Sequence, residues 1–114
     1  MSQGSGLAPA RVRDAAPLFA ALGDGTRLGL LVRLCSGGPD SITGLSEKAA
    51  VSRQAIAKHL GVLARAGLVR GTRRGREHVW ALEPRRLEEA RAYLDVISRQ
   101  WDDALGRLKR FVER

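Results

Sequence analysis

Residues 51–82 read VSRQAIAKHLGVLARAGLVRGTRRGREHVWAL, and this stretch decides the fold. Ser52 stands where a helix N-cap belongs, ahead of a run that recurs at helical spacing. Ile56, Leu60 and Leu63 fall at i, i+4 and i+7, which makes them the buried stripe of a helix running to about Ala66. Gly67 follows, and a glycine just past a helix end takes the left-handed conformation at little cost. Gln54, Lys58, Gly61 and Arg65 share the opposite face. Leu68-Val69-Arg70 then starts a strand, Gly71 to Arg76 reads as a turn with two glycines, and His78 to Leu82 is rich in β-formers. His78, Trp80 and Leu82 should share one face of that second strand. The whole stretch therefore predicts a helix followed by a β-hairpin with an arginine-rich tip.

Charge isolates the same stretch. Residues 48–76 hold eight basic side chains (Lys48, Arg53, Lys58, Arg65, Arg70, Arg73, Arg74, Arg76) and no Asp or Glu. On either side, acids and bases balance, so the net charge of +8 arises here. A cationic surface confined to one helix and one hairpin is the footprint expected of a polyanion binder, and duplex DNA is the most available polyanion.

Working outward toward the N-terminus, Ser41 or Asp40 can cap a short helix over Ile42 to Ala49. Ser36 to Asp40 is a loop by composition. A further helix is predicted over about Thr26 to Cys35, capped by Asp24, with Leu28, Leu31, Val32 and Cys35 at helical spacing. Asp14 to Leu22 reads as a first helix, with Leu18, Phe19 and Leu22 on one side. Residues 1–12 are expected to form a disordered tail. Toward the C-terminus, Pro84 suits the entry to a last helix over about 86–113. Its Leu87, Ala90, Leu94, Ile97, Trp101, Ala104, Leu108 and Phe111 form a heptad seam too long for so small a core to cover. That seam points to a partner helix, most simply the same helix of a second copy.

At 114 residues the chain is read as one domain, 13–114. A single cysteine excludes an intrachain disulfide, no apolar run approaches a membrane span, and the N-terminus lacks a signal-peptide pattern. A cytoplasmic protein without membrane contact is the expectation. Enzymatic function is not expected: no nucleophile elbow, phosphate loop or HExxH occurs, and candidate bases and nucleophiles are scattered.

Two short helices with a tight break, the second basic on its outer face, then a basic hairpin, give the order of a winged helix-turn-helix. The fold class expected is mainly α with a small β-hairpin, dimerising through terminal helices. LFAALGDGTRLGLLVRL (residues 18–34) resembles the start of the ArsR-type repressors, whose usual form is ALxDxTRLxIL. Residues 51–82 resemble that family's recognition helix and wing through His59-Leu60, Leu63, Ala66-Gly67-Leu68-Val69, and Gly75-Arg76 before a β-run ending in Leu82. The likeness covers about Pro17 to Pro84.

The resemblance implies a homodimeric repressor that binds an imperfect inverted repeat in double-stranded DNA, often in its own promoter. It assigns DNA contact to Ser52, Arg53, Gln54, Ala57 and Lys58 on the helix and to Arg73, Arg74 and Arg76 on the wing. Ala57 departs from the family's common Ser and offers only a methyl, which suits a thymine methyl. Leu18, Leu94, Ile97, Trp101 and Leu108 are the expected dimer contacts.

Some relatives sense metals through a Cys-x-Cys pair on the third helix or Asp and His pairs on the dimer helix. Residues 42–47 hold no Cys or His, and residues 86–114 hold no His. One Cys and two His in different elements do not make a ligand set, so neither metal nor other cofactor is expected. Cys35 is expected to be a buried apolar residue at the end of the second helix. His59 is open between contact with a phosphate or a pH-reporting role and a structural hydrogen bond beside the buried stripe, His78 is read as packing against Trp80, and Tyr93 as carrying no signal. Two alternatives stay open. One is an effector- or thiol-responsive sensor of the same fold. The other is a protein-interaction module using the long helix alone, which leaves the one-sided charge unexplained.

Overall fold

The computed structural model describes residues 9–113. Five helices and three short strands follow in the order α1 (Pro9–Leu22), α2 (Gly25–Gly37), β1 (Asp40–Ser41), α3 (Ile42–Lys48), α4 (Arg53–Arg65), β2 (Val69–Arg74), β3 (Glu77–Leu82) and α5 (Pro84–Val112). Residues 1–8 of the expected tail lie outside the described residues, but residues 9–12 are helical. Pro9 explains the early start, since a proline at the first helical position forfeits an N–H that would be unpaired anyway.

Side-chain caps set three of the helix starts. The Asp24 carboxylate accepts the Arg27 backbone N–H at 3.0 Å, Ser41 Oγ accepts that of Gly44 at 3.1 Å, and Ser52 Oγ accepts that of Ala55 at 3.2 Å. The end of α4 is a Schellman motif. Gly67, at φ +81°, lets the Leu68 N–H reach the Leu63 carbonyl at 2.9 Å while its own N–H reaches that of Ala64 at 3.0 Å.

The core gathers Leu18 and Ala21 from α1, Leu30, Leu31 and Leu34 from α2, Leu45 from α3, and Ile56, Leu60 and Leu63 from α4. Leu68, Val69 and Ala90 complete it. The stripe expected on α4 is the one observed, and all three of its members are fully buried. The phase expected for α2 is wrong in part. Of the expected set only Leu31 is buried, while Leu28, Val32 and Cys35 are exposed. This segment is leucine-rich on more than one side, so its periodicity could not choose a face. Leu18 is also corrected. It is 1% exposed within its own subunit and has no surface left to offer a second copy. Tyr93 does carry structure: its ring packs against Phe19 at a centroid distance of 5.5 Å.

The sheet is larger than a hairpin. β1 adds to β3 through Asp40↔Trp80 and Ser41↔Val79, giving the antiparallel order β1-β3-β2. The loop expected over Ser36 to Asp40 therefore ends in a strand. α5 extends 29 residues, about 44 Å at 1.5 Å per residue. Only its first turns pack on the core, through Leu87, Ala90 and Tyr93. The radius of gyration, 18.4 Å, exceeds the roughly 13 Å of a compact domain this size because α5 projects beyond the rest.

Two outcomes test this packing. Leu60→Ala should destabilise the protein by about 3 kcal/mol, the cost of a cavity where the core has no slack, measured by denaturant unfolding. Asp24→Ala should lower the melting temperature at neutral pH. The Arg27 backbone N–H holds the Asp24 carboxyl below its ordinary range, an effect that burial opposes and the charges of Arg27 and His59 support. A depressed carboxyl stabilises the fold above its unfolded pKa and loses that effect as pH falls through its folded one. The gap between Asp24→Ala and the parent should therefore close below about pH 4.

Candidate nucleic-acid interface

α4 carries one set of expected site residues. With Ile56, Leu60 and Leu63 facing inward, helical geometry turns Arg53, Gln54, Ala57 and Lys58 to solvent, and all four are exposed. Ser52 is occupied as the N-cap acceptor, which leaves its hydroxyl proton able to donate. These residues belong to the first two turns of the helix, where a helix lying in a groove presents its N-terminal side chains to base edges.

The second set lies on the wing. The expected six-residue turn is a two-residue one, Gly75-Arg76, between the paired residues Arg74 and Glu77. Gly75 has φ +60° and Arg76 does not have a positive φ, the pattern of a type II′ turn. Arg73 and Arg74 are consequently strand residues. They point to opposite faces of the ribbon, with Arg76 at the tip. The arginines share a rigid blade rather than a loose loop.

Close packing fixes that blade. His78 stacks on Trp80 at a centroid distance of 4.8 Å and an interplanar angle of 29°. Both rings lie across Gly71, where an added Cβ would sit 2.5 Å from His78 Nε2 and 3.1 Å from Trp80. A side chain at Gly71 would therefore have to displace the exposed His78 ring from its place over the strand, a role that could not be read from the predicted turn.

Among the described residues, Arg53, Lys58, Arg65, Arg73, Arg74 and Arg76 are exposed and have no carboxylate within ion-pair distance. The other two basic residues of the stretch are neutralised, Lys48 by Asp40 at 3.8 Å and Arg70 by Glu83 at 3.6 Å. The free cations are therefore those of α4 and the outer wing.

Sequence reasoning missed how α4 is braced. Arg27 on α2 donates from Nε to the Ala21 carbonyl at 2.6 Å, and its Nη1 lies 3.4 Å from His59 Nδ1 on α4. The same His59 nitrogen lies 3.9 Å from the Asp24 carboxylate. Of the two readings open for His59, these contacts match the structural one, and they join the start of α2 to the middle of α4. Among the described residues no group of three or more His, Cys, Asp or Glu could hold a metal ion.

Residues 22–72 match the helix-turn-helix domain family. An HTH-type transcriptional regulator of Mycobacterium tuberculosis is 40% identical over 87 residues, covering 76% of this chain and 78% of that protein. An ArsR-like transcriptional regulator from Rhodococcus sp. RHA1 superposes with a TM-score of 0.75 at 35% identity, over 90% of this chain and 95% of the other. This protein belongs to the ArsR-like winged helix-turn-helix transcriptional regulators. A transcriptional repressor from Xylella fastidiosa shares the fold, with a TM-score of 0.61 at 24% identity over 76% of this chain and 89% of that one. In this ArsR-like regulator, α3 and α4 are the helix-turn-helix pair, with α4 in the place of the family's recognition helix, and β2–β3 form the wing. The two most similar of these relatives are both transcriptional regulators.

The wing packing yields a test. Gly71→Val should force His78 off Trp80, lower the melting temperature, and weaken DNA binding by loosening the blade that carries Arg73 and Arg74. A variant with unchanged stability and an unchanged Trp80 indole resonance would contradict this packing.

Proposed function

We propose that this protein is a homodimeric repressor that binds an imperfect inverted repeat in double-stranded DNA, its own promoter included, acts in the cytoplasm, and does so without a metal effector. The observation that carries the dimer is α5. Beyond the turns that rest on the core, Leu94, Trp101, Leu105 and Leu108 are 52%, 62%, 52% and 58% exposed, and Ile97 is half-buried. Such a row of large apolar groups is costly to leave in water and has the spacing of a helix–helix seam. Trp101, with Ile97, Gln100 and Ala104, borders a shallow apolar cavity of about 280 Å³ that a facing side chain can fill.

Two subunits related by a twofold axis read two related half-sites, which is why an inverted repeat is the matching operator. Within each half-site, Arg53, Gln54 and Lys58 are the candidates for base edges and adjacent phosphates, Ala57 for a thymine methyl. Arg73, Arg74 and Arg76 act on phosphates or the minor groove beside it.

Selection of bound fragments from genomic DNA by the purified full-length protein tests the reading, and a short inverted repeat is the expected product. Trp101→Glu should convert the dimer to a monomer in sedimentation and cost about 100-fold in affinity for that repeat, since the second half-site no longer binds as a tethered one. Arg73→Ala with Arg74→Ala should weaken binding to all duplexes and reduce the slope of log affinity against log salt by about 2. A wild-type protein that stays monomeric, or that selects no fragment over random duplex, would overturn the proposal.

A further inference from the structure

Arg86, in the first turn of α5, touches three helices with one guanidinium. Its Nε donates to the carbonyl of Ala66, the C-cap of the recognition helix α4, at 3.1 Å. Its Nη2 donates to the Asp14 carbonyl on α1 at 3.1 Å, and its Nη1 lies 3.5 Å from the Asp14 carboxylate. The same Nη1 donates to Glu89 on α5 at 2.7 Å. The aliphatic stem crosses Gly67, where an added Cβ would meet Arg86 Cγ at 3.4 Å. The side chain is 21% exposed, and the Glu89 hydrogen bond, with the Asp14 charge, holds its proton more firmly than in a free arginine.

Just before the helix, the N-cap Glu83 donates its N–H to the Leu68 carbonyl at 2.9 Å and pairs with Arg70 at 3.6 Å, which pins the point where the chain enters α5. Within the helix, Leu87 and Ala90 rest on the core and Tyr93 packs against Phe19. Apolar contact keeps α5 attached but is non-directional. A guanidinium is a planar fork with fixed donor directions, so its bonds specify an angle. Trp101, in the middle of the seam, lies 15 residues beyond Arg86, about 22 Å along the helix. A tilt of about 10° at Arg86 therefore displaces the seam relative to α4 by about 4 Å, comparable to one base-pair step of about 3.4 Å.

We infer that Arg86 is a positioning residue that sets the angle between the recognition helix and α5, and through it the half-site spacing that two subunits accept. The spacing part rests on the dimer proposed above; the angle part belongs to each subunit alone. Arg86 touches no DNA in this reading and acts through α4.

The test uses the full-length chain in two arms. In the first, spin labels at Ala57→Cys and Arg107→Cys, in a Cys35→Ser background diluted with unlabelled protein, report the α4–α5 distance by pulsed electron resonance. Arg86→Met, which keeps the stem over Gly67 but removes the fork, should broaden a distribution that is narrow in the parent. In the second, the selected repeat is resynthesised with its half-sites moved apart or together by one and two base pairs. The parent should lose about tenfold in affinity per base pair of misplacement. Arg86→Met should show a flat spacing profile with lower peak affinity, an unchanged dimer, and unchanged binding to random duplex. Arg86→Lys, which cannot make the three-way fork, should shift both readouts the same way by less, and it carries the test if the methionine variant does not fold.

A narrow distribution in both variants would overturn the inference, whatever the melting temperature. A broadened distribution together with a parent that selects no repeat would leave the Arg86 angle standing and sink the dimeric reading instead.

Discussion

Burial of Ile56, Leu60 and Leu63 is the constraint on which the rest of this surface depends. Once these three side chains enter the core, the rotation of α4 about its own axis is settled, and Arg53, Gln54, Ala57 and Lys58 can only face water or a ligand. Hydrophobic attraction does not itself choose that rotation, but an amphipathic helix with one apolar stripe offers no second way to bury it. The caps sharpen the result. Ser52 at one end and the Gly67 Schellman turn at the other fix where the helix starts and stops, hence which residues form its first two turns.

Electrostatics then acts on a frame that packing has already built. Carboxylates pair with Lys48 and with Arg70 at the base of the wing, and among the described residues the six cations on α4 and the outer wing have no acidic partner. Like charges held together cost stability in the free protein, and a phosphate backbone relieves that cost on binding. On the wing, the paired strands β2 and β3 and the His78–Trp80 stack over Gly71 set where the arginines are carried.

The helix α5 obeys two masters. Its first turns belong to the core, and its later turns carry large apolar groups, Leu94, Trp101, Leu105 and Leu108, that are more than half exposed. A helix of this kind joins what happens at its far end to the orientation of the body it is rooted in. Directional bonds at that root, from Arg86 to Ala66, Asp14 and Glu89, make the connection stiff.

The sequence alone determined the order of the five helices and the hairpin, the caps of α2 and α4, the buried stripe of α4 and the location of the basic surface, and it narrowed the α3 cap to Ser41 or Asp40. Each of these follows from neighbours within a few residues: a cap and its N–H, a period of 3.6, an unbroken run without acids. It did not determine which face of α2 is buried, because a leucine-rich segment has several apolar faces and only the neighbours it packs on choose among them. Leu18 looked available to a second copy and lies in the core; Cys35 looked buried and is exposed; the turn of the wing is two residues, not six. The addition of β1 to the sheet, the closeness of His78 to Gly71 and the reach of Arg86 to Asp14 all join residues far apart in the chain. Such contacts leave no periodic trace in the sequence, since they are decided by which surfaces the folded core brings face to face.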